Sequence, residues 1–204
     1  MWEIIKAAGW PIWPLIFASV VAVAIIIERL VALREQQIVP KTLLPEVQKW
    51  LRQGTAGVTP DALRKLEQHS LLGLVFAGAL RNLGASRDVM KEAVEESGRA
   101  VAHKLEKYLT TLGTIATVSP LLGLLGTVIG MVELFGAFTA TGHDVAQFAR
   151  GISVALYNTA GGIVVAVPAM IFYRYFRGKI DDFIVQMEQE AVKLVEIIHG
   201  ERKE

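Results

Sequence analysis

The sequence predicts an all-α membrane protein with three transmembrane helices, and two observations support this. Of its 204 residues, 52% are hydrophobic, and the net charge at pH 7 is only +1. The apolar residues cluster in three stretches without Asp, Glu, Lys or Arg, over residues 7–27, 108–132 and 151–173. A helix rises about 1.5 Å per residue. Each stretch can therefore cross a hydrocarbon core of about 30 Å.

The first stretch predicts a retained membrane span over residues 1–28 with a short external N-terminus. A signal peptide fits less well, because the chain before the stretch carries little positive charge and no small-residue cleavage site follows it. Trp2, Trp10 and Trp13 lie at its start. Aromatic side chains of this kind are typical of the membrane–water interface.

Residues 29–107 form a more polar segment that predicts several cytoplasmic helices. Thr59-Pro60-Asp61 is a good helix start, with a capping hydroxyl followed by proline at the first helical position. Ser86 is a plausible cap for the next long helix. Helical spacing of apolar residues then continues into the second apolar stretch. We therefore predict one helix over residues 88–138, roughly 75 Å long, whose part over 108–138 is the second span.

A short external loop over residues 139–150 is predicted to lead into the third span, residues 151–173. The C-terminal segment, 174–204, has an apolar stripe at helical spacing with charges on its other side. Packing on its own chain or on a copy of itself is favoured over membrane-surface binding, because several acidic residues would oppose anionic lipid. The stripe consists of Ile180, Phe183, Ile184, Met187, Ala191, Leu194, Val195 and Ile198.

The distribution of basic residues predicts the orientation. Nineteen of the 21 Lys and Arg residues lie in 28–107 and 174–204, and only Lys6 and Arg150 lie elsewhere. Basic residues are concentrated on the cytoplasmic side of membrane proteins. The N-terminus is therefore predicted to be periplasmic and the C-terminus cytoplasmic.

The chain lacks the sequence patterns of enzymes and metal proteins. It has no cysteine, and none of its histidines has a second ligand at metal spacing. There is no phosphate-binding loop, nucleophile elbow or carboxylate pair in a polar setting. We expect no catalytic residue, no metal and no cofactor. The near-neutral charge gives no reason to expect nucleic acid as a partner.

Two threonines each lie within a stripe of small residues in a predicted span. Small residues hold membrane helices together, because lipid tails are as apolar as leucine. A hydroxyl on such a face suggests that something polar passes or docks there. The alternative is tight packing, with each threonine bonded back to its own helix. The stripes are Ala116, Pro120, Gly123, Thr127 and Gly130, and Gly151, Ala155, Thr159, Gly162, Ala166 and Ala169.

Glu133 is the only carboxylate close to the interior of a predicted span. It fits either an ordinary position at the outer interface or an outer vestibule acid that gathers cations. No carboxylate lies deep in the spans, so this chain cannot relay protons through the membrane midplane alone.

Two motifs resemble the MotA/TolQ/ExbB proton channel family, and its ExbB and TolQ branches most closely. They are Gly123-Leu-Leu-Gly-Thr127-Val-Ile-Gly130 and Leu156-Tyr-Asn-Thr159-Ala-Gly-Gly-Ile-Val-Val-Ala-Val-Pro168-Ala. The resemblance implies a homopentameric ring around a central apolar pore. Two copies of a single-span ExbD- or TolR-like partner would stand in that pore, and the partner's membrane aspartate would carry the proton.

The resemblance also implies roles for individual residues. Thr127 and Thr159 would face the partner and line the ion pathway. Val154 is a departure, because several relatives carry glutamate at this position, so a second carboxylate on the route is missing. The expected pore-lining and partner-packing residues are Ala116, Pro120, Gly123, Gly130, Ala155, Gly162 and Ala166.

The function implied is that of an ion-conducting subunit of a proton-motive-force-driven motor in the bacterial inner membrane. In an ExbB–ExbD type system, this work would reach TonB-dependent outer-membrane transport through a TonB-like protein. A TolQ-like subunit acting through a TolA-like protein is an alternative, as is a non-conducting scaffold whose stripes only pack. A small secondary transporter ranks last, because Pro120 and Pro168 are its only signs of broken helices.

Overall fold

The computed structural model describes residues 2–52, 58–136, 138–139, 142–143 and 145–201. Almost all of this chain is helical, which confirms the predicted all-α class. The helices are α1 (Trp2–Ala8), α2 (Ile12–Ala32), α3 (Glu35–Ile38), α4 (Leu43–Arg52), α5 (Pro60–His69), α6 (Leu71–Leu80), α7 (Arg87–Leu105), α8 (Leu109–Gly136) and α9 (Val145–Ile198).

A two-residue hairpin lies between α8 and α9. Its strands β1 (Phe138–Thr139) and β2 (Gly142–His143) pair antiparallel, with Phe138 opposite His143. The hairpin falls at the predicted external loop over 139–150, of which residues 140, 141 and 144 lie outside the described part of the chain. The sequence did not predict this pairing, nor that α9 begins as early as Val145.

Three helical segments are long and apolar enough to cross a membrane. Among the described residues they are Ile12–Ala32, Leu109–Gly136 and Phe148–Ile198. Each covers most or all of one of the three uncharged stretches of the sequence, so the prediction of three long apolar helices is confirmed.

The chain divides into two compact units. The first unit contains the residues up to Arg29 together with Tyr108–Tyr175, and the second contains Leu30–Lys107 together with the residues from Phe176 onward. The first unit therefore holds α1, most of α2, α8 and the first part of α9. The predicted stretches without charge lie in this first unit.

The predicted continuous helix over residues 88–138 is wrong. Helix α7 ends at Leu105 and α8 begins at Leu109. Between them, Tyr108 has a φ of 64°, a left-handed conformation that costs a side-chain-bearing residue roughly 1–2 kcal/mol. Buried apolar residues continue at helical spacing on both sides, at Leu105, Leu109 and Leu112. Periodicity alone therefore does not reveal the break.

Local sequence signals explain several helix starts in the second unit. The Thr59 hydroxyl accepts a hydrogen bond of 3.2 Å from the backbone N–H of Ala62, as predicted for the cap of α5. Ser70 caps α6 in the same way, through the N–H of Gly73 at 3.0 Å. Ser86 occupies the N-cap position of α7, as predicted, although its side chain makes no capping hydrogen bond.

The C-terminal part of α9 buries its apolar stripe within the second unit. Phe176 extends the predicted stripe and is fully buried. The prediction of an amphipathic helix packed on its own chain is thus confirmed. The buried members of the predicted stripe are Ile180, Phe183, Met187, Ala191, Leu194 and Val195.

The small-residue seam between α8 and α9 as candidate functional site

Helices α8 and α9 run antiparallel in the first unit and touch along their glycines, a contact face that we call the seam. A Cβ atom built on Gly123 would lie 2.9 Å from the carbonyl oxygen of Asn158 and 3.3 Å from the Cα of Gly162. A Cβ built on Gly130 would lie 2.7 Å from the carbonyl oxygen of Gly151. These distances leave no room for a side chain, so the two backbones meet directly. Close approach of this kind stabilises helix pairs in a membrane.

Most of the small residues predicted to line a pore are buried in the single chain. Pro120 instead is exposed, and Thr127 is half-buried at the edge of the buried face. Lining of a pore and contact with a partner helix concern an assembly, and they stay predictions. The buried members of the predicted set are Ala116, Gly123, Gly130, Ala155, Gly162 and Ala166.

The two threonines differ in how their hydroxyl groups are bonded. The Thr127 Oγ1 donates a hydrogen bond of 2.6 Å to the carbonyl oxygen of Leu124, one turn earlier in its own helix. The Thr159 Oγ1 is buried and has no hydrogen-bond partner within the described ranges. Bonding back to the helix thus accounts for Thr127 but not for Thr159.

Asn158 is the principal seam residue that the sequence analysis missed. It is fully buried, and its Nδ2 donates to the carbonyl oxygens of Ala8 at 2.7 Å and Val154 at 2.8 Å. Its side chain occupies the space left by Gly126, where a Cβ atom would lie 2.6 Å from the Asn158 Cγ. One signal was available, because Asn158 is the only asparagine in the three uncharged stretches.

Ser119 is a second buried polar residue on the seam that was not predicted. It is 1% exposed, and its Oγ has no hydrogen-bond partner among the residues that the structure describes. Its carbonyl oxygen would lie 2.7 Å from a Cβ atom built on Gly162, which places Ser119 opposite that glycine. Val154, where a carboxylate was expected from the family resemblance, is buried one turn before Asn158.

The N-terminal helices pack against the seam helices from one side. Ala8, Ile12 and Leu15 form a buried cluster against which Leu122 of α8 packs. A Cβ atom built on Gly161 of α9 would lie 3.1 Å from the Ile12 Cδ1. The first unit is therefore held together by apolar contacts as well as by the bond between Asn158 and Ala8.

A charged group is buried where α2 leaves the first unit. The side chain of Arg29 is 5% exposed and forms hydrogen bonds of 2.6 and 3.0 Å with the carboxylate of Glu28. Its guanidinium also lies 5.5 Å from the ring centre of Tyr108, within the range of a cation–π interaction. The contact joins Arg29 of α2 to Tyr108, the residue before α8, within the first unit.

Glu133 lies on the exposed side of α8, away from the seam. Its position near the end of this apolar helix is compatible with either of its two interpretations, and the vestibule role stays a prediction. Within the described ranges, no group of three His, Cys, Asp or Glu side chains is placed to hold a metal ion.

Comparison with known proteins places these motifs in a family context. Residues 67–189 match the model of the MotA/TolQ/ExbB proton channel family. The chain is 35% identical over 176 residues to the putative biopolymer transport protein ExbB-like 3 of Synechocystis sp., covering 84% of this chain and 82% of that protein. It is 32% identical over 170 residues to the biopolymer transport protein exbB1 of Vibrio cholerae, covering 79% and 72%.

A relative from the Tol branch matches at a similar level. The chain is 33% identical over 150 residues to the Tol-Pal system protein TolQ of Pseudomonas aeruginosa, covering 71% of this chain and 65% of that protein. The match to the family model includes both threonine motifs and most of the seam. The long apolar helices, the small-residue seam and these matches together show that the chain is a membrane protein that belongs to the MotA/TolQ/ExbB proton channel family.

Proposed function

We propose that this chain is the ring-forming, ion-conducting subunit of an inner-membrane motor driven by the proton-motive force. In this proposal it acts with an ExbD-like partner and energises TonB-dependent transport across the outer membrane through a TonB-like protein. The observation that carries the proposal is the pair of threonine motifs on the facing helices of the seam, inside a match to a proton channel family.

The need for a partner follows from the charges of the first unit. Described carboxylates are absent from the middle of the apolar segments, and Glu133 lies near the end of α8. A proton crossing the midplane therefore needs an acid from another chain. A single-span ExbD- or TolR-like protein with a membrane aspartate would supply it, standing in a pentameric ring with the N-termini in the periplasm and the C-termini in the cytoplasm.

The exposed side of α8 is the surface that we propose for this partner. Pro120 and Thr127 are two turns apart on α8 and lie outside the buried seam, with the exposed Leu124 between them. The Thr127 hydroxyl donates to the Leu124 carbonyl, and its oxygen keeps lone pairs with which it can accept a hydrogen bond from a protonated acid. The seam glycines would hold α9 directly behind this surface.

Two other functions have specific support. The Tol-Pal system protein TolQ of Pseudomonas aeruginosa favours a TolQ-like subunit of the Tol envelope-maintenance motor as much as the biopolymer transport protein exbB1 of Vibrio cholerae favours an ExbB-like one. The bond of Thr127 to its own helix favours a scaffold in which the motifs only pack. The scaffold predicts that valine is tolerated at both threonines, while a large residue at Gly123 or Gly162 abolishes assembly.

Proton uptake into liposomes tests the proposal against the scaffold. The full-length chain is reconstituted with and without a co-expressed single-span partner that carries a membrane aspartate, and Thr127→Val and Thr159→Val are compared with the wild type. We expect uptake that requires the partner and falls in both variants while the assembly stays intact. Full uptake in the double variant would contradict the role of the hydroxyls, and absence of uptake in an intact assembly with its partner would contradict conduction.

A further inference from the structure

A groove of about 630 Å³ lies in the second unit, between α7 and the C-terminal part of α9. It follows α7 from Arg87 to Ala102, which corresponds to about four helical turns. Its edges are exposed and charged, with Lys91, Glu95 and Arg99 on α7 and Glu188 on α9. Its floor is apolar and consists of the buried residues Val75, Met187, Ala191 and Val195.

Gly98 lines this groove in the middle of α7. Glycine is unfavourable inside a helix relative to alanine, and a Cβ atom built on Gly98 would meet nothing within 4 Å. Packing inside the chain therefore does not require a glycine here, in contrast to Gly123 and Gly126 of the seam. The missing side chain leaves space beside the backbone of α7, into which a side chain of another helix fits.

The charges along the groove favour an acidic protein helix over a lipid as its occupant. Three cationic side chains line it, those of Arg87, Lys91 and Arg99, together with the carboxylates of Glu95 and Glu188. The two carboxylates would oppose the headgroup of an anionic lipid. An apolar floor between charged edges is the type of surface on which an amphipathic helix docks. The excess of cations favours a helix that carries more acidic than basic residues.

The chain itself carries an acidic helical surface of this kind on α9. Residues 180–192 contain four carboxylates and neither lysine nor arginine. Asp182, Val185 and Gln189 share one exposed face of the helix, which we call the ridge. Val185 is 51% exposed. Among the residues that the structure describes, Asp182 forms no ion pair. The ridge thus offers an apolar side chain and an unpaired acid for contact with another chain.

We propose that the ridge of one copy of this chain docks in the groove of the next copy. The groove is lined by another side of α9, through Ile184, Met187 and Ala191. The two surfaces therefore differ, and the contact is head-to-tail, the type that closes into a ring when the rotation between copies allows it. The proposal rests on the ring of the proposed function and assigns a contact between its subunits outside the apolar spans.

Two ion pairs determine which residues of the ridge and the groove lie at the same level. The Nη1 of Arg177 lies 3.3 Å from the Oε1 of Glu106, and the Nη2 of Arg87 lies 3.1 Å from the Oε2 of Glu201. Helices α7 and α9 therefore run antiparallel, with the residues around 185 level with those around 99.

Rotation about a ring axis that follows these helices keeps every residue at its own level. Val185 of one copy therefore meets the space beside Gly98 of the next copy. Asp182 meets Arg99, which in the single chain has only a long contact of 3.9 Å with Glu95. Because Arg99 is 71% exposed, the ion pair with Asp182 lies at the rim of the contact, where solvent still reaches it.

Disulfide cross-linking tests this contact directly, because the chain has no cysteine of its own. Two full-length versions with different tags are co-expressed in membranes, one with Gly98→Cys and the other with Val185→Cys, and are then oxidised. We expect a disulfide-linked pair that carries both tags. Glu96→Cys replaces Gly98→Cys in the matched control, since Glu96 is exposed on α7 and does not line the groove. The control should form far less of the mixed pair.

The outcomes separate this contact from the ring itself. Equal cross-linking of the control, or no mixed pair while native mass spectrometry shows an intact ring, would overturn the contact and leave the proposed function standing. A chain that stays monomeric in the membrane would overturn both. A groove cysteine that is protected from a maleimide but forms no mixed pair would assign the groove to a different occupant and would also overturn the proposal.

A charge exchange tests the pairing of Arg99 with Asp182. Arg99→Glu on the copy with the groove cysteine should lower the yield of the mixed pair about two- to fivefold, the range expected for an exposed ion pair. Asp182→Arg on the copy with the ridge cysteine should restore the yield when both substitutions are present. Loss in the single variant without recovery in the exchanged pair would contradict the pairing. The cross-link between the two cysteines without charge changes stands even if a charge variant does not fold.

Discussion

The side-chain amide of Asn158 donates a hydrogen bond of 2.7 Å to the backbone carbonyl of Ala8, which lies 150 residues earlier in the sequence. Ala8 is the last residue of α1, and Gly9 follows it with a φ of 73°. The backbone carbonyl of the last residue of a helix accepts no hydrogen bond within that helix. A buried side chain of α9 thus satisfies the end of the N-terminal helix.

Loss of this bond should loosen the N-terminal helix. In Asn158→Ala the carbonyl of Ala8 loses its partner in a buried position, at a cost of about 1–3 kcal/mol. We expect faster hydrogen–deuterium exchange of the backbone amides over residues 5–16, together with a lower free energy of unfolding. Asn82→Ala is the control, because its amide bonds within the second unit. Equal exchange of this segment in the wild type and Asn158→Ala would show that the apolar cluster alone holds α1.

Substitution of Gly126 should disturb the packing of the Asn158 side chain. A methyl group there would lie 2.6 Å from the Asn158 Cγ, and overpacking of this kind typically costs about 1–3 kcal/mol. We expect Gly126→Ala to lower thermal stability in detergent. Gly178→Ala on α9 is the matched control, since a Cβ atom at Gly178 meets nothing within 4 Å. That variant should be unchanged or slightly more stable, and equal stability of the two variants would show that the seam can widen freely.

Serine and valine substitutions at Thr159 distinguish the contribution of its hydroxyl from that of its side-chain shape. Thr159→Ser keeps the hydroxyl and loses a methyl group, whereas Thr159→Val keeps the shape and loses the hydroxyl. The valine variant lacks the hydroxyl that we propose for the ion route, so partner-dependent proton uptake should fall roughly tenfold or more, which corresponds to about 1.4 kcal/mol. The serine variant should retain most of the uptake. The reverse order would assign the requirement to packing.

The predicted orientation can be tested directly, because the natural chain contains no cysteine. Lys6→Cys on α1 and Asp182→Cys on the C-terminal part of α9 each introduce one exposed thiol. A membrane-impermeant maleimide should label Lys6→Cys in spheroplasts and should label Asp182→Cys only after the membrane is opened. Labelling of Asp182→Cys in intact spheroplasts would invert the topology that the basic residues predict.

Local and periodic features of this fold could be predicted from the sequence. The uncharged stretches are long enough to indicate apolar helices, and Thr59 carries its capping signal within three residues. The left-handed Tyr108 could not be predicted, because apolar residues keep their helical spacing across it. A side chain-bearing residue in this conformation is fixed by its surroundings and not by local preference.

The candidate site was predictable only in part. Spacings of three and four residues group Gly123 with Thr127 on one face, but the structure buries the glycine and leaves Thr127 at the edge. The two positions differ by a fraction of a turn around the helix axis. The location of the neighbouring helix therefore decides which of them is buried. The hydrogen bond of Asn158 to Ala8 joins segments that are distant in the sequence, so no local sequence pattern predicts it.

Side-chain volume decides which residues are buried in the seam of α8 and α9. Between Ala116 and Gly130, the buried positions of α8 hold alanine, serine and glycine, while bulky Leu121, Leu125 and Val132 are exposed. In a soluble domain, polarity largely decides which side chains enter the core. Here a substitution at a position without space should harm more than one that adds a dipole, so Gly126→Ala, whose Cβ would lie 2.6 Å from the Asn158 Cγ, should be worse tolerated than Ala116→Ser. Size is the property by which natural variation along this contact is best ranked.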